Sequence, residues 1–432
     1  MTPMRETMRR DGRVRAWFTT PLRCVSAVLV LASVAAGCKT TDGPPERGPV
    51  VVTVWHQKDG GERDFFNRQV AEFNRTHAGR VRVEALYRET EELRNLFVIG
   101  SVGGQGPDLV YGPSDNLSIL AMTGSVKPIT EVLEPDFLAQ FDTTGVLSWN
   151  GNAWMVADQV GNHLAFVYNK ALLPRVPETW EELLPLLQAL TKDENGDGRP
   201  DRYGLTWNYT EPFFFVPFLT GSGGWMMDAT GNPTLDTPAT VEAVRFVLDL
   251  RDRYKVIPRE SDYQISETLF KEGRAAAVIN GPWAWAGYGS AGVDYGIARI
   301  PKMGGEWAAP VISSKGYSVN INVPDWKAPY VREVLVYFTG PAMQRQMARD
   351  LATIPTIPAL LRDTVITNSP LLRASMAQVE VGKPMPLAPQ MRQVWDGMRG
   401  PYQLVMNGAV NPQQGARLMQ QEVQKRINDT FL

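Results

Sequence analysis

Reactive side chains are scarce in this chain. Its 432 residues include two cysteines, Cys24 and Cys38, and three histidines, His56, His77 and His163. Two cysteines cannot staple a chain of this size, and the histidines are not spaced as metal ligands, so a disulfide framework and a His/Cys metal centre are both excluded. An excess of one charge is also missing: 44 Lys and Arg stand against 46 Asp and Glu, for a net charge of −2. That balance supplies no broad attraction to nucleic acid or to an anionic bilayer, and it points to a neutral partner. G-x-S-x-G and the P-loop do not occur, which removes the usual serine-hydrolase and P-loop nucleotide-binding readings. The apolar run CVSAVLVLASVAA at 24–36 is too short to span a bilayer stably. What is present is 44% hydrophobic and 21% charged residues, enough for more than one core, so two domains are expected.

Ahead of the apolar run stand Arg5, Arg9, Arg10, Arg13, Arg15 and Arg23, and the run ends in Ala35 and Ala36 before Gly37. A basic stretch, a short apolar stretch and small residues make the layout of a cleavable export signal, here residues 1–37. Cys38 comes next and resembles the cysteine of the bacterial lipoprotein cleavage box, with Ala35 where leucine is usual. The resemblance implies a diacylglycerol on the Cys38 thiol, a membrane attachment and a location at the cell envelope; the other reading is a plain signal with an incidental cysteine. With Cys24 removed, no free thiol would remain. The stretch 38–49 is polar, rich in Pro and Gly and aperiodic, as a flexible tether is.

From residue 50 the pattern becomes regular. An apolar run at 50–55, helical spacing of Phe66, Val70 and Phe73, a second strand at 81–86, a helix at 91–102 and a third strand at 108–111 predict βαβαβ. Alternation resumes with a strand at 165–168, a helix near 179–190, and a helix opened by Thr237 with Pro238 in its first turn. Strands are predicted at 275–279, 295–300 and 317–323, the last two recrossing between lobes, and helices near 330–338, 343–351 and 413–430. Two α/β lobes place a ligand crevice at the carboxyl ends of their strands.

Three segments carry chemistry for that crevice. EPFFFVPFLTGSGGWMM at 211–227 sets Glu211 beside Phe213, Phe214 and Phe215, which cannot all enter one core. A sugar offers hydroxyls to carboxylates and C–H faces to rings, so a sugar site needs both together. INGPWAWAGY at 279–288 sets Trp283 and Trp285 on what reads as a loop, because Gly281 and Pro282 interrupt the strand; Trp285 reads as tucked into an interface. PMPLAPQMRQVWDGMRG at 384–400 spaces Trp395 and Arg399 four apart, on one helix face. Each segment alone also suits core packing or a surface cation–π pair.

Together with GPDLVYGPSDNLSILAMTGSVKPI near 106, LAFVYNKALLPRVPETWEEL near 164 and KEGRAAAVINGPWAW near 271, these islands resemble, in order, the maltose/maltodextrin-binding proteins of ABC importers. The resemblance implies a two-lobed periplasmic-binding-protein-like α/β fold with a hinge. One lobe would comprise 50–160 plus 301–360, the other 161–300 plus 361–432. It also implies no catalysis and no required cofactor, a monomer that binds an oligosaccharide and docks on permease subunits served by a cytoplasmic ATPase. Ligand contacts carry over to Asp59, Asp115, Glu211, Phe213, Trp283, Met385, Trp395 and Arg399; a one-residue insertion leaves Lys58 and Glu62 as alternatives to Asp59, and Phe213 stands in place of a tyrosine. Gly112, Asn116 and Asn162 depart from an expected tryptophan, arginine and glutamate. A shorter or bent sugar such as trehalose is therefore as compatible as linear maltodextrin.

DENGDGRPD at 193–201 sets Asp193, Asn195, Asp197 and Asp201 with the spacing of a calcium loop, without the closing glutamate, since Gly204 occupies that place. It reads as a structural calcium site or as a solvated acidic turn. His163, beside Asn162, is the histidine expected to line the crevice. Two rival functions stay open: a secreted glycoside hydrolase with Asp115 and Glu211 as acid and base, and a sugar-sensing lipoprotein.

Overall fold

The computed structural model describes residues 43, 44 and 47–431. The expected signal segment, Cys38 and most of the expected tether lie outside the described residues. Among the described residues no helix is long and apolar enough to cross a membrane.

The first lobe opens with β1 (Val50–His56), α1 (Gly60–Thr76), β2 (Val81–Tyr87), α2 (Thr90–Val102) and β3 (Leu109–Pro113), the βαβαβ order predicted. In β1, Val50, Val52, Val54 and His56 are buried in alternation, as the two-residue period of a strand requires. β1 runs parallel to β2 from Val50 opposite Val81 and to β3 from Val54 opposite Leu109. Parallel pairing brings the carboxyl ends His56, Tyr87 and Pro113 to one edge, and the loops that follow them form one wall of the cleft.

Short helices α3 (Leu117–Met122) and α4 (Pro135–Leu138) flank β4 (Val126–Lys127), and β5 (Val146–Trp149), β6 (Asn152–Asn162), β10 (Val311–Asn320) and β11 (Lys383–Pro384) complete this sheet. The order is β2-β1-β3-β10-β6-β5, with β4 and β11 also pairing β10. β10 is antiparallel to both β3 and β6. Helices α1, α10 (Ala328–Thr339) and α11 (Pro341–Leu351) cover one face, where Val52, Phe66, Phe73, Tyr317 and Phe338 form the core.

The second lobe is built on β7 (Ala165–Asn169), β8 (Ala277–Asn280) and β9 (Tyr295–Ala298), ordered β8-β7-β9. Around them pack α5 (Trp180–Leu190), α6 (Pro212–Gly221), α7 (Pro238–Asp252), α8 (Tyr263–Lys271), α9 (Pro282–Ser290), α14 (Met391–Met406) and α15 (Pro412–Phe431). Thr179 and Thr237 cap α5 and α7 by accepting the amides of Glu182 and Thr240, which satisfies donors a helix start leaves open. Helices α12 (Thr364–Thr367) and α13 (Pro370–Glu380) lie between α11 and β9.

Three expectations are corrected. Residues 282–290 are helix α9 rather than a loop, because proline at the first helical position loses nothing and presets φ. The strand at 295–298 stays in the small sheet and does not recross; the chain crosses after β6, again into β10, and a third time between α11 and α14. The boundary expected at 301 falls early, since Ile300, Met303 and Ala308 pack in the second lobe's core.

Candidate functional site

Between the lobes lies a cleft of about 730 Å³, within the size range of small-molecule sites. Its second-lobe wall is aromatic. α6 begins at Glu211, whose side chain does not cap its own helix because Arg399 takes it. The guanidinium donates from Nε to both carboxylate oxygens at 3.0 and 3.2 Å, and from Nη2 at 3.1 Å. Arg399 sits one turn beyond Trp395 on α14, with Asp396 accepting from its Nη1 at 3.4 Å. The Phe213 ring stands between Trp395, 6.1 Å away, and Trp283, 6.2 Å away, giving a continuous row of rings along the wall.

The first-lobe wall is polar. Gln57, Asp59, Glu89, Thr90, Asp115 and Asn116 line it, all from loops or helix starts at the carboxyl ends of β1, β2 and β3. Asp59 precedes α1 and pairs with Arg63 at 2.8 Å. Asp115, in the 3₁₀ turn Ser114–Asn116, accepts from Trp395 Nε1 at 3.2 Å across the cleft. Where Gly112 leaves out a side chain, the amides of Gln57 and Asn116 stand 3.6 and 3.7 Å from the position a Cβ would take. Asn162 also lines the cleft and donates to Ser313 Oγ at 2.9 Å.

Beneath this wall two cations and two anions are buried together. Lys58 Nζ lies 3.2 Å from Glu62 and 3.4 Å from Asp158, and Lys315 Nζ lies 2.9 Å from Glu62. Gln159 donates to Glu62 at 2.6 Å and to the Tyr111 hydroxyl at 2.8 Å, and Tyr111 donates to Asp158 at 2.9 Å. Burial alone pushes the Glu62 carboxyl up, but Lys315 and Lys58 outweigh it and hold the pKa down to about 2. Asp158 is raised, chiefly by burial, with Lys58 opposing. Charges removed from water persist only when neutralised and hydrogen-bonded, and here every member has partners within the cluster. Its upper side, Glu62 and Lys315, lines the cleft; Lys315 Nζ is also 5.6 Å from the Trp283 ring centre of the opposite lobe.

Seven of the eight expected ligand contacts therefore face one space: Asp59, Asp115, Glu211, Phe213, Trp283, Trp395 and Arg399. Met385 does not. β11 pairs with the start of β10, the Met385 amide donates to Ile312 at 2.8 Å, and the side chain packs in the core. Lys58 is buried below the wall, whereas Glu62 and Asp59 both reach it. His163 is fully buried, with Nε2 3.0 Å from Ser375 Oγ, and it does not line the cleft. Burial lowers its pKa to about 3. Trp285 is buried against it. Sequence reasoning missed Tyr87, Tyr263, Asn208, Arg392 and Lys315. For Lys315 a signal existed: a lysine inside an otherwise strand-like run is either at an edge or buried for a reason.

The acidic loop does not gather a metal cage. Asp193 accepts the amides of Gly196 and Gly198, Asp197 that of Arg199, and Asp201 those of Glu194 and Asn195, so the oxygens satisfy the turn itself. At Gly204 a side chain would collide with the Leu187 backbone, which explains the absent glutamate. Among the described residues no three His, Cys, Asp or Glu side chains are grouped to hold a metal.

Residues 68–374 match the family described as bacterial extracellular solute-binding protein. The chain belongs to that family. Its members bind solutes and are not enzymes, which sets aside the hydrolase reading of Asp115 and Glu211. The maltose/maltodextrin-binding domain of Bdellovibrio bacteriovorus, solved with maltotriose, is similar at a TM-score of 0.84 and 41% identity, over 88% of this chain and 100% of that one. The Thermus thermophilus maltotriose-binding protein is similar at a TM-score of 0.76 and 26% identity, over 87% of this chain and 100% of that one. The maltotriose-binding protein of Pyrococcus abyssi is 27% identical over 376 residues, 82% of this chain and 77% of that protein. These relatives make the fold a two-lobed one of the periplasmic sugar-binding kind, as the sequence islands implied.

Proposed function

We propose that this protein captures a maltooligosaccharide of the maltose to maltotriose size between its lobes and hands it to the permease of an ABC importer. The observation that carries the reading is the facing of unlike walls. The row Trp283, Phe213 and Trp395 offers ring faces to the apolar sides of a pyranose, while Asp59, Glu62, Asp115 and the Arg399–Glu211 pair offer acceptors and donors to its hydroxyls. The ligands named for the Bdellovibrio and Thermus relatives support the choice of sugar. In this proposal the sugar lands on the aromatic lobe and the polar lobe closes over it, binding energy being used to select the closed form. Cys38, acylated, holds the protein at the cell envelope, outside the cytoplasm.

A disaccharide with a bend, such as trehalose, is the second reading, favoured by Gly112, which leaves the polar wall without a ring where a linear chain would stack. Titration calorimetry of residues 41–432 against maltose, maltotriose and trehalose, followed by analysis of the recovered sugar, tests the proposal. Saturable heat with maltotriose and intact sugar supports it, tighter trehalose binding replaces it by the second reading, and no heat with any of the three overturns both.

A further inference from the structure

Of the aromatic side chains lining the cleft, Phe213, Phe214, Tyr263, Trp283 and Trp395 belong to the second lobe; among the described residues Tyr87 alone comes from the first. It ends β2, at the same edge as the loops that carry Asp59 and Asp115, and it is 37% exposed. Large side chains left this open inside a concave site have a face to offer a ligand. One face of the ring is already taken: the Arg63 guanidinium carbon lies 3.5 Å from its centre. Arg63 is fixed in turn, donating from Nη2 to Asp59 at 2.8 Å and from Nε to the Lys58 carbonyl at 3.1 Å. On a third side the His56 ring meets Tyr87 edge-on at 6.0 Å. The ring is thus held by groups that α1 and β1 position.

The geometry points to Tyr87 as the stacking platform of the first lobe, a specificity-determining residue that receives a pyranose face when the lobes close and takes the part left vacant at Gly112. Arg63 is its positioning residue. Stacked behind the ring, the cation draws on the ring's π-electrons and fixes its tilt, while its bond to Asp59 links the platform to a neighbouring hydroxyl acceptor. A sugar reaching both lobes is then held between rings on both sides, so the preferred ligand is one with a pyranose unit beyond those seated on Trp283 and Trp395. A chain of three units satisfies that, and a disaccharide does so poorly.

This rests on the sugar-binding reading, and the experiment separates the two. Maltose and maltotriose are titrated into the soluble chain and into Tyr87→Phe, Tyr87→Leu and Arg63→Met, with thermal melts of each. Expected is a loss of about tenfold in maltotriose affinity for Tyr87→Leu, near-native affinity for Tyr87→Phe, a smaller loss for Arg63→Met, and less effect on maltose throughout. Leucine fills similar space without a π face, so native maltotriose affinity in Tyr87→Leu with an unchanged melting temperature overturns the platform. Equal losses for both sugars overturn the assignment of the extra unit. Failure of the unsubstituted protein to bind either sugar removes the underlying reading instead.

Discussion

Trp395 serves the cleft in two ways from one ring: its face meets the ligand space and its Nε1 donates to Asp115 of the other lobe. Removing the ring by Trp395→Ala is expected to weaken sugar binding by about 2 kcal/mol or more, as loss of a buried aromatic anchor does. Trp395→Phe keeps the face and loses only the hydrogen bond, for about 1 kcal/mol; calorimetry on both variants tells the two contributions apart. Equal losses in the two would mean that stacking contributes little. Arg399→Met leaves the Glu211 carboxylate without its guanidinium, and a loss of about 1–3 kcal/mol in affinity is expected, checked by the same titration. At this scale the sequence was informative where spacing decides. Trp395 and Arg399 four apart had to share a helix face; that Glu211 stands at the start of a helix is seen only in the structure. Met385 was misplaced because its position depends on β11 pairing with β10, a contact between segments some seventy residues apart that no local pattern encodes.

Helices α1 and α9 meet where the lobes approach each other. A Cβ at Gly61 would lie 2.9 Å from the Ala286 Cβ and 3.4 Å from the Gly287 amide, inside the distance that side chains tolerate. Gly61→Val is therefore expected to act as a wedge: at saturating sugar the protein should keep the larger radius of gyration of its open form in solution scattering, with sugar affinity reduced although no ligand-facing atom has changed. A native scattering change on ligand addition would show that the helices slide to make room. Elements with a strong period were legible: α7 and its Thr237 cap, β1 to β3, and the closing helix. The nature of residues 282–290 was not, because a proline that ends a strand and a proline that opens a helix look alike without the downstream packing. Nor was the buried charge cluster, whose Lys315 and Gln159 meet only because β10 and β6 pair in that register.

For the molecule as a whole, acid is the condition that separates native from unfolded. Burial, with Lys58 and Arg63 nearby, lowers His56 to about 4, and burial lowers His163 to about 3. An unfolded histidine titrates near 6.5, so between those values the unfolded chain binds protons the native one refuses, and stability falls as pH drops. Glu62, held down to about 2, adds a loss below about 4.3, its ordinary value. Asp158, raised by burial, works in the opposite sense. Urea midpoints are thus expected to decline from pH 7 to pH 4.5, and to decline less in His163→Gln, whose amide can still bond Ser375. Midpoints that stay level over that range in the unsubstituted protein would contradict the account.

The position of β10 has a consequence for how this chain comes into being. It lies between β3 and β6 in the middle of the large sheet, yet it is encoded after the whole of β7, β8 and β9. A chain emerging from its amino end therefore presents β3 and β6 as unpaired edges until residue 320 has appeared, and α14 and α15 complete the second lobe only with the final residues. Neither lobe can finish early; native pairing waits on contacts distant in sequence, which form slowly. The two halves of the large sheet are therefore made far apart in time, and the strand that joins them is the last of its six central members to emerge.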